Sequence, residues 1–548
     1  MSEERKEPNS EEVEPPAEDP QTEEQPEKKA DSPKVPSLWQ NYISLAGFVI
    51  AGASIAGIIL LFMLELTASD ESPYLGILIY IMLPGFMIFG LLVALVGAGI
   101  ERRRRRKLSP EEIAAYPILD LNGPRRRRIF LAFVAGAFLF IMVSAFGSYR
   151  AYEFTESNTF CGQVCHTMDP EFTAYQASSH ARVTCVECHV GSGADYYVKS
   201  KFEGVRQLYV QMRGTYNRPI PSPVHTLRPA QDTCEKCHWP EKFFGEQLKV
   251  FRHYAYDENN TMTQTRLLIK TGGGSPTAGQ TAGIHWHMNV ANEVSYVATD
   301  EKRQNIVWVR FKQKDGTVVE YTDRTSNLTA DMLSKYPVRK MDCVDCHNRP
   351  AHVYLNPHKA VDQSFTANAL DVSLPFLKMV SVDVLSKKYT TKEEALENIG
   401  KEVPAYYQKN YPDLYRTKSD SINGAVTELR RIYSTYFFPA MNTDWQSHTD
   451  NIGHYNALGC YRCHDGRHVS PTGKRIRTEC NICHTTLDQT IGGRTFRPED
   501  GNFQHPIDLG AQGKYKCADC HKGNRGFRHP VNLGDISRFQ CVECHAIQ

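Results

Sequence analysis

Phe160-Cys-Gly-Gln-Val-Cys-His-Thr-Met168, with Ser179-His180 and Cys185-Val-Glu-Cys-His189 soon after it, is the stretch on which the reading of this 548-residue chain turns. Cys-x-x-Cys-His is the covalent attachment pattern of c-type haem: two thiols add to two vinyl groups, and the adjacent imidazole coordinates the iron. The pattern recurs as Cys234/Cys237/His238, Cys343/Cys346/His347, Cys460/Cys463/His464, Cys480/Cys483/His484, Cys517/Cys520/His521 and Cys541/Cys544/His545. The first copy, Cys161/Cys165/His166, carries one extra residue between its cysteines. All 16 cysteines are used in this way, leaving none for a disulfide framework or an isolated nucleophile. Zinc shared between two Cys-x-x-Cys halves would not demand a histidine after every second cysteine, and a thioredoxin-like pair would occur once, within a βαβ unit. The motifs predict about eight covalently bound haem c groups.

Each motif histidine fills one axial position, and twelve further histidines can supply the other. His505 and His529 hold the same place in a duplicated unit, and His180 stands five residues before Cys185. His285 and His287 compete as neighbours in Gly283-Ile-His-Trp-His-Met288, at least one being expected to ligate; His225, His358 and His454 complete the candidates. His253, His352, His448 and His468 fall behind, because surface histidines are common. Met168 offers a thioether that would raise the potential of the first haem. Six-coordinate sites suit electron transfer rather than substrate binding on iron.

The 63 Lys+Arg nearly balance 62 Asp+Glu, so a strongly basic nucleic-acid binder is excluded. Residues 1–40 read as a disordered acidic tail, poor in groups that could bury apolar surface. Three apolar runs follow, Ile43–Leu64, Leu75–Ile100 and Ile129–Ser148, each long enough to cross a bilayer. They predict a three-helix anchor over 41–150. Its 101–128 loop holds Arg102–Arg106, Lys107 and Arg125–Arg128, and is therefore expected in the cytoplasm, while Asp70 and Glu71 face outward. The N-terminus then lies inside, and everything after Tyr149 is periplasmic.

The outer part divides into a haem region at 151–240, a β-rich insertion at 241–342, the fourth haem with a helical segment at 343–459, and a C-terminal haem domain at 460–548. Arg266–Lys270, Val294–Thr299, Ile306–Lys312 and Thr317–Thr322 read as strands, with a hairpin turn at Asp315-Gly316. Thr391 and Glu394 form a capping box for a helix closed by Gly400. Ile422, Val426, Leu429, Tyr433 and Tyr436 repeat at helical spacing until Pro439. Phe503–Gly510 recurs as Phe527–Gly534, ahead of the last two motifs. The expected fold is a membrane-anchored multihaem c-type cytochrome. It combines three transmembrane helices with a mostly helical and irregular periplasmic domain, in which haem replaces much of the ordinary core, and a small antiparallel insertion.

The order of a membrane helix ending at Gly147-Ser148, then Phe160–Met168, then Ser179-His180 before Cys185–His189, resembles the NapC/NirT family of membrane-anchored quinol dehydrogenase cytochromes. Within it, the three-crossing anchor and long multihaem tail are most similar to the inner-membrane ImcH-type cytochromes. The resemblance implies a quinol pocket beside the first haem and Met168 as a candidate ligand of that haem. It further implies periplasmic c-type cytochromes and the quinol pool of the bilayer as partners in anaerobic respiration, with metals and extracellular acceptors within its scope. Asp195, Lys199, Lys201 and Glu203, interleaved with Tyr196, Tyr197 and Phe202, are the candidates for the quinol site. Two other readings stand beside this one: a terminal reductase of a small oxyanion, which needs an open iron position, and an electron-transfer subunit of a larger membrane complex.

Overall fold

The computed structural model describes residues 37–67, 82–108, 122–191, 193–224, 227–272, 283–288, 293–312, 315–326, 329–454 and 457–498. Several sequence expectations lie outside the described residues. They are the seventh motif, Cys517, Cys520 and His521, the eighth, Cys541, Cys544 and His545, and the candidate ligands His225, His505 and His529. The acidic tail before residue 37, with Asp70 and Glu71, lies outside them too. The chain forms two units, Met1–Val134 and Ala135–Gln548.

In the first unit α1 (Tyr42–Thr67) and α2 (Leu83–Arg105) are long and apolar enough, by length and composition, to cross a membrane. Small residues let them approach closely. A Cβ on Gly47 would stand 2.4 Å from the Ala94 nitrogen, and Ser44 Oγ donates to the Ala94 carbonyl at 2.8 Å. Phe48, Val49, Phe86, Phe89 and Val96 remain exposed, an apolar surface suited to lipid rather than water. The third predicted run lies within α3 (Pro124–Thr155), a single 32-residue helix.

In the second unit α4 (Asp169–Gln176) and α5 (Ala194–Met212) precede two antiparallel sheets. Their strands are β1 (Glu246–Tyr254), β2 (Met262–Lys270), β3 (Glu293–Ala298), β4 (Ile306–Lys312), β5 (Val318–Asp323), β6 (Arg339–Lys340), β7 (His468–Val469), β8 (His484–Ile491) and β9 (Arg494–Phe496). The orders are β1-β2-β8-β9 and β6-β3-β4-β5-β7. The turn joining β4 and β5 uses Gly316 at φ +87°, conformationally cheap only for glycine. The β-rich region is thus not closed at residue 342: strands from beyond residue 460 complete both sheets. β1 escapes sequence reading because residues 246–252 are exposed on both faces and show no alternation.

Between the fourth and fifth motifs lie α6 (Pro357–Thr366), α7 (Leu377–Ser386), α8 (Lys392–Asn410) and α9 (Ser419–Tyr436). Half of the expected capping box forms: Thr391 Oγ1 accepts from Glu394 N at 3.1 Å, whereas Glu394 Oε2 accepts from Thr390 N, one residue before the cap, at 2.7 Å. Gly400 does not close the helix, which runs through Pro404 to Asn410 because Ala395, Ile399, Val403 and Tyr407 form a fully buried stripe. Its glycine serves packing instead, since a Cβ there would meet the Arg430 guanidinium. With Val361, Leu374, Leu377, Leu429 and Ile432 these residues build a continuous apolar core. The expectation that haem replaces the ordinary core therefore fails for this region, which contains no cysteine.

Candidate functional site

The extra residue of the first motif is absorbed as a π-helical turn, Phe160–Val164, a geometry that accommodates a single insertion. Gly162 allows it, because a Cβ there would collide with the Phe172 ring. Cys165, the second thiol of this motif, follows the turn in extended backbone at φ −102° and ψ 107°, half-buried. Its carbonyl accepts from Met168 N at 2.9 Å, which starts the next short turn. The second motif is a short helix, Cys185–His189, whose start is held by Glu187 Oε2 accepting from Thr184 N at 2.6 Å. The fourth repeats the device: Asp342 Oδ1 accepts from Val344 N at 3.0 Å, and Asp345 Oδ2 accepts from Asp342 N at 2.8 Å. Buried Asp345 also receives Tyr296 OH at 2.7 Å, Arg339 Nε at 2.9 Å and Arg303 Nη1 at 3.2 Å. Arg462, inside the fifth motif, donates to the carbonyls of Gly459, Arg303 and Asp345, clamping that motif to the fourth.

The described thiols follow one another in space as they do in sequence. Cys161 lies beside Cys185, and Cys234 beside Cys343. Cys188 lies near Cys234 and Cys237, and Cys460 near Cys483.

Five motif histidines face a second imidazole. Ring centroids are 6.3 Å apart for His189 and His352, 6.1 Å for His238 and His180, 6.4 Å for His347 and His285, 5.9 Å for His464 and His287, and 6.1 Å for His484 and His454. Two imidazoles bound in trans, each through a bond of about 2 Å and with a ring radius of about 1 Å, put their centroids roughly 6 Å apart. A ligating imidazole anchors Nδ1–H on an acceptor and leaves Nε2 free; four of the five pairs carry such an anchored ring, whereas Nδ1 of both His454 and His484 is buried without a partner. Nδ1 of His180 donates to Pro350 O (3.0 Å), of His285 to Thr271 O (2.7 Å), of His287 to Ile284 O (3.1 Å), of His352 to Glu171 O (2.9 Å) and of His464 to Arg477 O (2.6 Å). Burial holds His287 and His352 down to about 4, favouring the neutral form a metal needs. The residues fit haem iron.

This arrangement uses both His285 and His287, for different motifs, and brings in His352, which sequence reasoning had set behind the other candidates. Its spacing, five residues after His347, was the available signal. Among the described residues His358 faces no motif histidine; its ring meets the Tyr256 hydroxyl. His253 bonds Asp362, His448 bonds Ser447 and the Ile220 carbonyl, and His468 bonds Asp465 and the Ile306 carbonyl. The axial roles expected of His521 and His545, and the thioether roles of Cys517, Cys520, Cys541 and Cys544, fall outside the described residues and stand on the sequence motif.

The first motif differs. Among the described residues His166 faces no imidazole; Gln211 Nε2 lies 3.2 Å from its Nδ1, and the Tyr216 ring packs edge-on at 6.0 Å. Met168 ends the same short turn, His166–Met168. The four predicted quinol residues do not converge. Glu203 is bound to Arg206 and Gln207, Asp195 and Lys199 are exposed, and only Lys201 reaches the first motif's surroundings, pairing with Glu156. Gln211, Tyr216 and Glu156, none of them singled out by the sequence, are the residues beside the first motif.

Residues 124–221 match the NapC/NirT cytochrome c family, N-terminal region, and residues 453–546 match cytochrome c3. The cytochrome c-type protein ImcH of Geobacter sulfurreducens is 44% identical over 486 residues, 88% of this chain and 95% of that protein. The chain belongs to the NapC/NirT cytochrome c family. Like other members it is a membrane-anchored c-type cytochrome of electron transport, carrying covalently bound haem. Shorter similarities link it to the cytochrome c-type protein NrfH of Wolinella succinogenes, 27% identical over 20% of this chain and 62% of that protein. A cytochrome c nitrite reductase subunit NrfH of Nitratidesulfovibrio vulgaris is 27% identical over 21% of this chain and 71% of that protein. No solved structure matches the chain.

Proposed function

We propose that this cytochrome is an inner-membrane quinol dehydrogenase. It takes electrons from menaquinol or a similar quinol at the first motif and delivers them to periplasmic c-type cytochromes, supporting anaerobic respiration directed toward external acceptors. The observation that carries this reading is the contrast between His166, flanked by Gln211 and Tyr216, and the five following motif histidines, each opposite another imidazole. Bound haem c, about eight groups if the motifs ending in His521 and His545 are loaded like the rest, supplies one-electron redox chemistry at each motif.

The chain's own residues account for the remainder. Gln211 and Tyr216 offer hydrogen bonds to quinol oxygens. Glu156, with one oxygen on Lys201 and Oε2 buried without a partner, is placed to accept a proton released by quinol oxidation. Phe202, Val205, Tyr209 and Met212 form an exposed stripe along α5, suited to lying against lipid where quinol enters. The histidines anchored through Nδ1 keep their rings fixed, so little reorganisation accompanies a change of charge. The arginines of residues 102–128 support an N-terminus in the cytoplasm and motifs in the periplasm.

Full-length protein in menaquinol-loaded liposomes tests this. Quinol should reduce the haems, seen in the visible spectrum, and generate no membrane potential, since electrons and protons both stay on the outer side. Failure of quinol to reduce the haems refutes the reading; a potential refutes the one-sided arrangement. A dominant high-spin spectrum with nitrite or sulfite turnover would favour the oxyanion reductase instead.

A further inference from the structure

His347-Asn-Arg-Pro-Ala-His352 touches three centres at once. His347 serves the fourth motif, the Pro350 carbonyl holds His180 opposite His238 of the third, and His352 faces His189 of the second. In the middle of this segment stands Arg349, only 8% exposed. Its guanidinium makes no hydrogen bond and no ion pair with any described residue, and Nε is buried without a partner. A guanidinium stays charged and presents five donors.

Arg462, equally buried at 6%, shows what such a side chain ordinarily does here: its donors are spent on three carbonyls. A buried cation left without acceptors is strongly disfavoured, and the planar guanidinium fork matches a carboxylate.

We propose that Arg349 is an anion-binding residue that takes a propionate carboxylate of the haem bound at the second, third or fourth motif. The inference rests on the assignment of these motifs to haem. The Arg349 charge favours the reduced state of the iron beside it, so this one residue tunes a centre to which it is not a ligand.

The test uses the full-length haem-loaded protein with Arg349→Gln and Arg349→Lys. Intact mass first counts haem adducts; a normal count separates failure of this proposal from failure of the haem assignment. Potentiometric titration of Arg349→Gln should shift at least one centre about tenfold toward the oxidised form, equal to about 59 mV for one electron. The propionate-bending band in the resonance Raman spectrum should shift too. Arg349→Lys, which keeps the charge but loses the fork, should show the Raman shift with a smaller change in potential, and serves alone if the Gln variant does not fold. Unchanged potentials and an unchanged Raman band overturn the proposal. Potentials of the unsubstituted protein that follow chloride or phosphate concentration, a dependence abolished in Arg349→Gln, would assign the site to a solution anion and overturn the propionate.

Discussion

Replacing His352 by alanine gives the sharpest check on the imidazole pairs. The His352 ring lies 6.3 Å from that of His189, and its Nδ1 is fixed on the Glu171 carbonyl at 2.9 Å. Without it, His189 is the sole imidazole at the second motif, and that iron becomes five-coordinate. The expected result is one high-spin ferric centre per chain more than in the unsubstituted protein, about one-eighth of the haem when all eight motifs are loaded, measured by spin quantitation in electron paramagnetic resonance. Added imidazole should return it to low spin by entering the space the side chain vacates. His358→Ala, six residues away, should produce no high-spin haem, because that ring meets Tyr256. His448→Ala should also stay low-spin while losing roughly 1–3 kcal/mol of stability, since its two nitrogens serve Ser447 and the Ile220 carbonyl. A fully low-spin His352→Ala protein, or high-spin haem in His358→Ala, would refute the pairing.

Leu429→Ala, at a fully buried position of the helical core, should cost about 2–5 kcal/mol. The loss should appear as earlier melting of helix by far-ultraviolet circular dichroism, with the haem spectrum unaltered until that transition. In the same region Asp371 is held down to about 2: burial opposes ionisation, but hydrogen bonds from Ser373 and Ser421 and the Lys418 charge outweigh it. Its folded value is depressed, so its contribution is present above the ordinary 3.8 and disappears as pH falls toward 2; acid titration of stability should show that loss in the native protein and not in Asp371→Asn. Gln211→Leu should slow menaquinol-driven haem reduction about tenfold or more, the loss of roughly one productive hydrogen bond. Reduction by dithionite should be unchanged, and equal slowing of both would remove Gln211 from the pocket.

Sequence alone carried the haem motifs because thioether attachment demands adjacent residue types, a local requirement. The helices with capping and periodic signals, α8 and α9, were legible for the same reason. Distal ligands are set by contacts across the fold. His285 and His287 look like rivals in sequence, yet they share one short helical turn, Ile284–Met288, from which their rings reach different motifs. His352 was set behind His358, although only His352 is fastened to α4 through Glu171. Gly400 misled because a C-terminal stop and a packing notch for Arg430 require the same residue. The quinol candidates were drawn from the charged residues of α5, whereas Gln211 lies at its end and Glu156 just beyond α3, joined only by the fold.

The order of the centres has its own structural basis. The helical region leaves the motif series after Asn348 and returns at Asn451, and these two residues close the excursion between them: Asn348 Nδ2 donates to Thr449 O, and Asn451 N donates to Asn348 Oδ1, each at 2.8 Å. Asn451 Nδ2 and Arg462 Nη2 then both donate to the Asp345 carbonyl inside the fourth motif. The insertion is therefore tied off at its neck, and the fifth motif sits against the fourth as though the intervening chain were absent; Cys346 still neighbours Cys460 and Cys463. Because the entropy of closing a loop grows only slowly with its length, such a neck tolerates a large insertion at little cost. Continuity of the series thus depends on Asp345, Asn348, Asn451 and Arg462, none of which touches iron, while the helical region behind them is stabilised by its own core.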